Sequence, residues 1–324
     1  MKIGIWDGDG KQYPNLALMK ISAWHKAQGD EVEWAHPFIH YDKVYVAKVF
    51  GEEYIPYEDL PFNADEVIFG GTGFAITVEN GKEVYNKDWD ANLPYEVEHI
   101  YPDYDLYGIA DKAMGFLTRG CPNNCPFCIV SKKEGRKSVK VADLDEWWRG
   151  QKNIDLYDPN ILACRDRKDL LNQLAASKAK VNFNQGLDAR FLTRDVAEIL
   201  NKMHLGIVHF AFDLMANEKA IVRGLKTLSE IVKMDNTKRI VYILTNYDTT
   251  FKEDMHRVNV CRELGYLPDI RIYRKQTAPQ IVKDLQRWCN NRVLYGSTEF
   301  EDYVARGKTM KEQYPMELRK EETK

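Results

Sequence analysis

The chain has 324 residues, of which 44% are hydrophobic and 29% charged, and a formal net charge of −3. That length suits two ordinary domains, and the balance is that of a soluble globular protein rather than a disordered or fibrous one. No apolar run is long enough to cross a bilayer, and six cysteines, three of them in one short motif, argue against a disulfide framework. A reducing compartment follows, the cytoplasm by default.

Charge is unevenly spread. Residues 1–110 hold 8 lysines and 20 carboxylates, whereas residues 111–324 hold 38 basic and 29 acidic side chains. The break predicts a domain boundary near residue 110, giving domains over 1–110 and 111–290 and an extension over 291–324. Two solvated surfaces of opposite sign, or a basic face that meets an anionic substrate, would both produce this asymmetry.

In the first domain, residues 2–6 read as a strand rather than a signal peptide. Asp7-Gly-Asp-Gly10 is a turn. Leu16, Met19, Ile21, Ala23, Trp24 and Ala27 give a helical apolar face over residues 15–28, which stops at Gly29. Strands are expected at 31–34, 41–46 and 66–69. Strands alternating with helical segments imply a Rossmann-like parallel sheet. The Gly70-Gly-Thr-Gly73 turn has the composition of a phosphate cradle. The segment after it, 76–81, reads as a hairpin and not a helix, so a tight turn that needs glycine is the better reading. Residues 93–107, rich in Pro and Tyr, read as an irregular linker whose tyrosines serve packing.

The second domain opens with an apolar strand at 113–118. Directly after it comes Cys121-Pro-Asn-Asn-Cys125-Pro-Phe-Cys128, a C-x3-C-x2-C pattern. Thiolates are soft ligands suited to zinc or iron–sulfur clusters. A structural zinc site needs four protein ligands. The next sulfur is Cys164 and the nearest preceding histidine is His99. Three thiolates and a vacant fourth position fit a [4Fe–4S] cluster with one iron open to a small molecule. The alternative is a non-catalytic metal protein whose three cysteines share an ion with a remote fourth ligand.

Five more strand–helix units follow. A helix through Leu144, Trp147 and Trp148 is expected after the cysteines. Strands are expected at 154–157, 179–183, 205–212, 239–245 and 269–273. Helices follow around Leu170 and Leu174, from Thr193 as N-cap, over 221–232, up to Gly265, and over 279–289. Repeated βα units of this size predict a parallel barrel or open barrel, with its chemistry at the C-terminal ends of the strands. Those ends carry Asp158 and Asn160, then Gln185, Asp188 and Arg190, then Asp213, then Asn246 and Tyr247, then Tyr273. Cys261 and Cys289 lie on helices and read as small hydrophobes, and Cys164 reads as packing near the second strand end. In the tail, 292–295 and 300–303 are expected to cap the barrel, and residues from 306 onward to be solvated or frayed.

The C-x3-C-x2-C motif with an aromatic, Phe127, before its last cysteine resembles the radical SAM superfamily. Six βα units match the partial (β/α)6 TIM-like barrel of that superfamily. The resemblance implies a [4Fe–4S] cluster on Cys121, Cys125 and Cys128 that chelates S-adenosylmethionine. Reductive cleavage would then give methionine and a 5′-deoxyadenosyl radical, with a flavodoxin- or ferredoxin-type electron donor as partner. It further implies that Asp158 or Asn160 accepts from the cofactor's ammonium, although a Gly-Gly-Glu type segment is missing here. Gln185 and Asp213 would meet the ribose, and Phe127 and Tyr273 the adenine. Arg190 would pair with the carboxylate, or be held in place by Asp188. Tyr13-Pro-Asn-Leu-Ala-Leu18 and Gly29-Asp-Glu-Val32 resemble the N-terminal domain of B12-binding members, but the D-x-H-x-x-G cobalamin signature is absent. RNA, a peptide and an anionic small molecule all remain as substrates. Lys132, Lys133, Arg136, Lys137 and Lys140, with Arg165, Arg167 and Lys168, mark the expected approach of an anion.

Overall fold

Strand β1 (Lys2–Asp7) places Ile3 and Ile5 at full burial. This computed structural model describes residues 1–318 apart from 53, 59–60, 80–81 and 91. Helix α1 (Leu16–Ala27) begins where the Asn15 carboxamide accepts from the amides of Ala17 and Leu18, an N-cap that satisfies two otherwise orphaned donors. Its buried face differs from the expected stripe: Ser22 and His25 are inside and Ala27 is outside. Both polar groups are matched, Ser22 by Asp103 at 2.6 Å and His25 by Asp30 at 2.7 Å and Tyr45 at 3.0 Å, so their burial carries little penalty.

Strands β2 (Glu31–Trp34), β3 (Tyr41–Ala47) and β4 (Ala64–Gly70) complete a four-stranded parallel sheet in the order β2-β1-β3-β4. One face packs Ile3, Ile5, Leu18 and Ala47, and the other Ala35, Tyr41, Val44 and Val46. A one-turn helix, α2 (Thr72–Ala75), follows the glycine turn before the hairpin β5 (Ile76–Glu79) and β6 (Lys82–Tyr85), so the expectation of no helix is corrected by a single turn. The hairpin tip, 80–81, lies outside the described residues. The linker is more ordered than expected: α3 (Tyr95–Glu98) and a 3₁₀ turn, Tyr104–Tyr107, lie within it. Its tyrosines do pack. Tyr104 is buried, and its hydroxyl takes the Met114 amide and gives to the Trp147 carbonyl.

The strand expected at 113–118 is broken in two, β7 (Lys112–Gly115) and β8 (Thr118–Arg119). After the cysteines come α4 (Val130–Lys133) and β9 (Val139–Lys140), which pairs antiparallel with β8. The helix expected through Leu144, Trp147 and Trp148 is absent. Only a 3₁₀ turn, Leu144–Glu146, forms there. Leu144 and Trp147 are buried all the same, because the Trp147 ring fills the space beside Gly115, where a Cβ would lie 2.6 Å from it.

The remaining elements alternate as expected: β10 (Asn153–Leu156), α5 (Arg167–Ser177), β11 (Lys180–Leu187), α6 (Arg194–Leu200), β12 (His204–Ala211), α7 (Glu218–Ile231), β13 (Arg239–Thr245), α8 (Phe251–Glu263), β14 (Leu267–Ile272) and α9 (Gln280–Asn290). A six-stranded parallel sheet runs β14-β13-β12-β11-β10-β7. Val181, Phe183, Val208, Phe210, Val241, Ile243 and Ile270 are buried along it, at the alternate positions that a pleated strand turns to one face.

Two compact units result, Met1–Pro159 with Cys164–Asp166, and Asn160–Ala163 with Arg167–Lys324. The change of sheet falls between residues 107 and 112, close to the change in charge, and the compact units divide later, between residues 159 and 167.

The tail adds α10 (Arg292–Ser297), the hairpin β15 (Val304–Ala305) and β16 (Lys308–Thr309), and α11 (Met310–Gln313). Phe300 is buried with its ring 5.4 Å from that of Trp288 and 5.8 Å from that of Phe251. The expected fraying from 306 onward is corrected in its first part. Arg306 grips the buried Asp284 carboxylate at 2.8 and 2.6 Å, and Met310 is fully buried. Residues 319–324 lie outside the description. Among the described residues no helix is long and apolar enough to cross a membrane.

Candidate functional site

The cysteine segment is a loop closed at its base. Thr118 pairs with Lys140 and Arg119 with Val139, so the chain leaves β8 and returns beside it as β9. The Cys121 amide donates to the Gly135 carbonyl at 3.1 Å, and the Cys128 amide to that of Cys125 at 3.0 Å. Gly120 has φ +83°, and a Cβ there would overlap the Lys137 carbonyl oxygen, so only glycine fits. Glu134 binds the turn from outside, accepting from Arg119 at 2.9 Å and from the Gly120 amide at 3.0 Å. Cys121, Cys125, Cys128 and Phe127 are all half-buried.

Asp158 sits at the root of this loop. It is buried and accepts from the Leu117 amide at 3.2 Å, the Thr118 amide at 2.5 Å and the Thr118 hydroxyl at 2.6 Å. Burial pushes its carboxyl up to about 6, against the pull of those donors. Asp158 is thus bonded to the loop's backbone rather than pointed at open space. Lys133, at the far end of the loop, pairs with Asp90 at 2.9 Å and also bonds Thr72 of the glycine turn.

The other three cysteines are core residues. Cys164, Cys261 and Cys289 are 1%, 0% and 3% exposed, and burial raises the Cys261 thiol to about 12 and pushes that of Cys289 up as well. Thiols held like those of Cys261 and Cys289 stay protonated and inert. The loop cysteines differ in both exposure and setting.

In the second unit the expected polar residues fall at the C-terminal ends of parallel strands. Three of them come together. Asn160 gives its carboxamide N–H to Asp188 at 3.2 Å, and Asp188 holds Arg190 through Nε at 2.8 Å and Nη2 at 2.6 Å. Gln185 is exposed on β11. Asp213, just past β12, accepts from the Leu244 amide on β13 at 3.0 Å, and burial raises its carboxyl. Tyr273, after β14, sets its ring edge-on to Tyr247 at 5.1 Å, and its carbonyl accepts from Asn246 at 2.8 Å.

Sequence reasoning placed Asn246 at a strand end but missed its backbone conformation, that of Arg274, and the buried Arg257. Asn246 and Arg274 adopt left-handed backbone, φ +59° and +47°, at the ends of neighbouring strands. Arg257 is fully buried and donates to the carbonyls of Phe212, Asp213 and Leu244 at 2.9, 3.0 and 2.9 Å. Asparagine at a strand end is a signal for the first. Nothing local marks the others.

Among the described residues no group of three or more His, Cys, Asp or Glu side chains is gathered so as to hold a single metal ion. A cubane cluster asks for less convergence, since each thiolate meets a different iron. Three half-buried sulfur donors on one closed loop fit that group in donor type and number. No protein-family model matches the chain, and no curated protein is recognisably similar to it.

Proposed function

We propose that the protein is a radical SAM enzyme, with a Rossmann-like first domain and the six-stranded sheet of a partial (β/α)6 barrel. One observation carries the reading: three thiols in C-x3-C-x2-C spacing on a glycine-dependent loop that follows the edge strand of a parallel βα sheet. When bound to Cys121, Cys125 and Cys128, a [4Fe–4S] cluster supplies one electron to the sulfonium of S-adenosylmethionine, releasing a 5′-deoxyadenosyl radical that takes hydrogen from substrate.

The chain's own residues divide the rest of the work. Asp158 holds the root of the loop, and Phe127 stands beside the last thiol. Arg190, oriented by Asp188, and Asn160 offer a cation and an amide to the cofactor's amino-acid end. Gln185 and Asp213 offer partners for the ribose, and Tyr273 a ring for the adenine.

The test is anaerobic reconstitution with iron and sulfide. Wild type should become brown with broad visible absorbance, and on adding dithionite and S-adenosylmethionine should form 5′-deoxyadenosine. Cys121→Ala, Cys125→Ala and Cys128→Ala should each lose cluster and cleavage, because each removes one of three ligands. Cys261→Ala should keep both. A colourless, zinc-loaded wild type, or full iron content in Cys125→Ala, would refute the reading.

A further inference from the structure

Helix α7 turns Ile221, Gly224, Leu225 and Leu228 inward. Gly224 lets it lie flat against the Ala189 carbonyl, since a Cβ there would overlap that oxygen. Its outward line carries Lys219, Arg223 and Lys226, four and three residues apart and so stacked on one face. All three are exposed, and none makes an ion pair among the described residues. The line of cations does not stop with the helix. The Lys233 amide, two residues past α7, donates to the Asn201 side chain at 3.0 Å, which brings Lys233 beside Lys202 at the end of α6. Two residues beyond Lys202, His204 opens β12 in register with Lys180 at the start of β11. The Lys180 stem runs over Gly206, where a Cβ would lie 3.0 Å from its Cε. Lys180, Lys202 and Lys233 also make no ion pair among the described residues. One carboxylate, Glu230, stands exposed on the line, a turn beyond Lys226. Of the neighbouring carboxylates, Glu218 pairs with His256, Glu198 with Arg194, and Asp235 caps Thr237.

We propose that these six cations form a track for the sugar–phosphate backbone of a nucleic-acid strand. The track lies wholly on the second unit and does not rest on the metal centre. From Lys219 to Lys233 the helical rise alone covers about 21 Å, room for several successive phosphates. Contacts of this kind set affinity and register without reading sequence. No large apolar side chain is exposed between residues 178 and 206 or between 215 and 238. The track therefore lacks the apolar centre of a protein interface and the apolar face of a membrane-surface helix. It also lacks an aromatic platform for stacked bases, which leaves the phosphates as the recognised groups. The cations just after the cysteines make a poorer run, because Lys133 and Lys140 are consumed by Asp90 and Asp143.

The experiment titrates the full chain with a labelled single-stranded RNA oligonucleotide, read by fluorescence anisotropy between about 50 and about 200 mM salt. Six phosphate contacts give a slope of log affinity against log salt of about −4, a loss of roughly 300-fold over that range. Lys219→Gln/Arg223→Gln/Lys226→Gln should bind at least about tenfold more weakly and flatten the slope to about −2. Lys180→Gln/Lys202→Gln/Lys233→Gln should do the same, so the test survives if either variant misfolds. Glu230→Gln should bind several-fold more tightly, because it removes the one carboxylate that repels the strand. Arg287→Gln/Arg292→Gln/Lys308→Gln takes the same charge from elsewhere on the unit and should leave the affinity nearly unchanged. No binding at the lowest salt overturns the proposal, as do triple variants of the track that keep wild-type affinity. So does a control variant that weakens binding as much as they do, since net charge alone would then be at work. Iron uptake enters none of these readings, so failure of the metal centre and failure of the track are told apart.

Discussion

Arg257 is fully buried, and its guanidinium meets Asp254 at 2.5 Å besides three strand-end carbonyls. Those acceptors lie in different directions, which suits a planar fork and not a single ammonium. Arg257→Ala would leave the Asp254 carboxylate buried without its cation, at a cost of roughly 3–5 kcal/mol. Arg257→Lys should cost well over half as much. Urea melts of the three proteins check this, and a loss under about 1 kcal/mol for Arg257→Ala would rule out the staple role. This residue also shows where sequence reading stops. Asp254 and Arg257 stand three apart on a helix, the spacing of an ordinary solvated pair, and nothing in the local sequence turns them inward. Asp188 and Arg190 were legible as a pair because a strand end leaves them few other partners. Asp158 stood out by its position at a strand end. That it bonds the backbone of Leu117 and Thr118 depends on a turn forty residues earlier.

At the level of elements, strands and helices with strong periodicity fell where expected, with bounds off by up to four residues, as at β11, which runs on to Leu187, and the outright failures have physical causes. Leu144, Trp147 and Trp148 have helical spacing, yet Leu144 and Trp147 are buried without a helix, the Trp147 ring lying against Gly115. The segment 113–118 is apolar throughout, but its second half turns away to pair with β9, a partner twenty residues downstream that no local pattern announces. The cysteine loop depends on that pairing and on Gly120. Gly120→Ala forces a side chain into left-handed backbone against a carbonyl and should cost roughly 2 kcal/mol or more. Since the strain falls beside Cys121, iron uptake on reconstitution should drop further than the melting temperature does. Normal iron content in a folded Gly120→Ala protein would show that the loop tolerates another path.

Across the whole molecule, acid residues concentrate in the first 110 positions, and two of the carboxyls in the first unit are buried enough to resist ionisation. Burial raises Asp7 from 3.8 to about 6, opposed by the Tyr107 hydroxyl at 2.6 Å. Asp158 is likewise raised to about 6. A carboxyl whose folded value exceeds its unfolded one binds its proton more tightly in the fold. Its contribution is full below 3.8 and is lost as pH rises through about 6. Asp7→Asn keeps the shape without the titration. The stability difference, wild type minus variant, should therefore fall by on the order of 2 kcal/mol between about pH 4 and about pH 7. A difference that stays level, or rises, contradicts the assigned direction. The antiparallel pair of β8 and β9 closes residues 120–138 into a ring. Entropy charges little for extra residues inside such a ring. The cysteine segment can therefore exchange its exposed residues Pro122, Asn123, Asn124 and Pro126 while the two strands that present it keep their pairing.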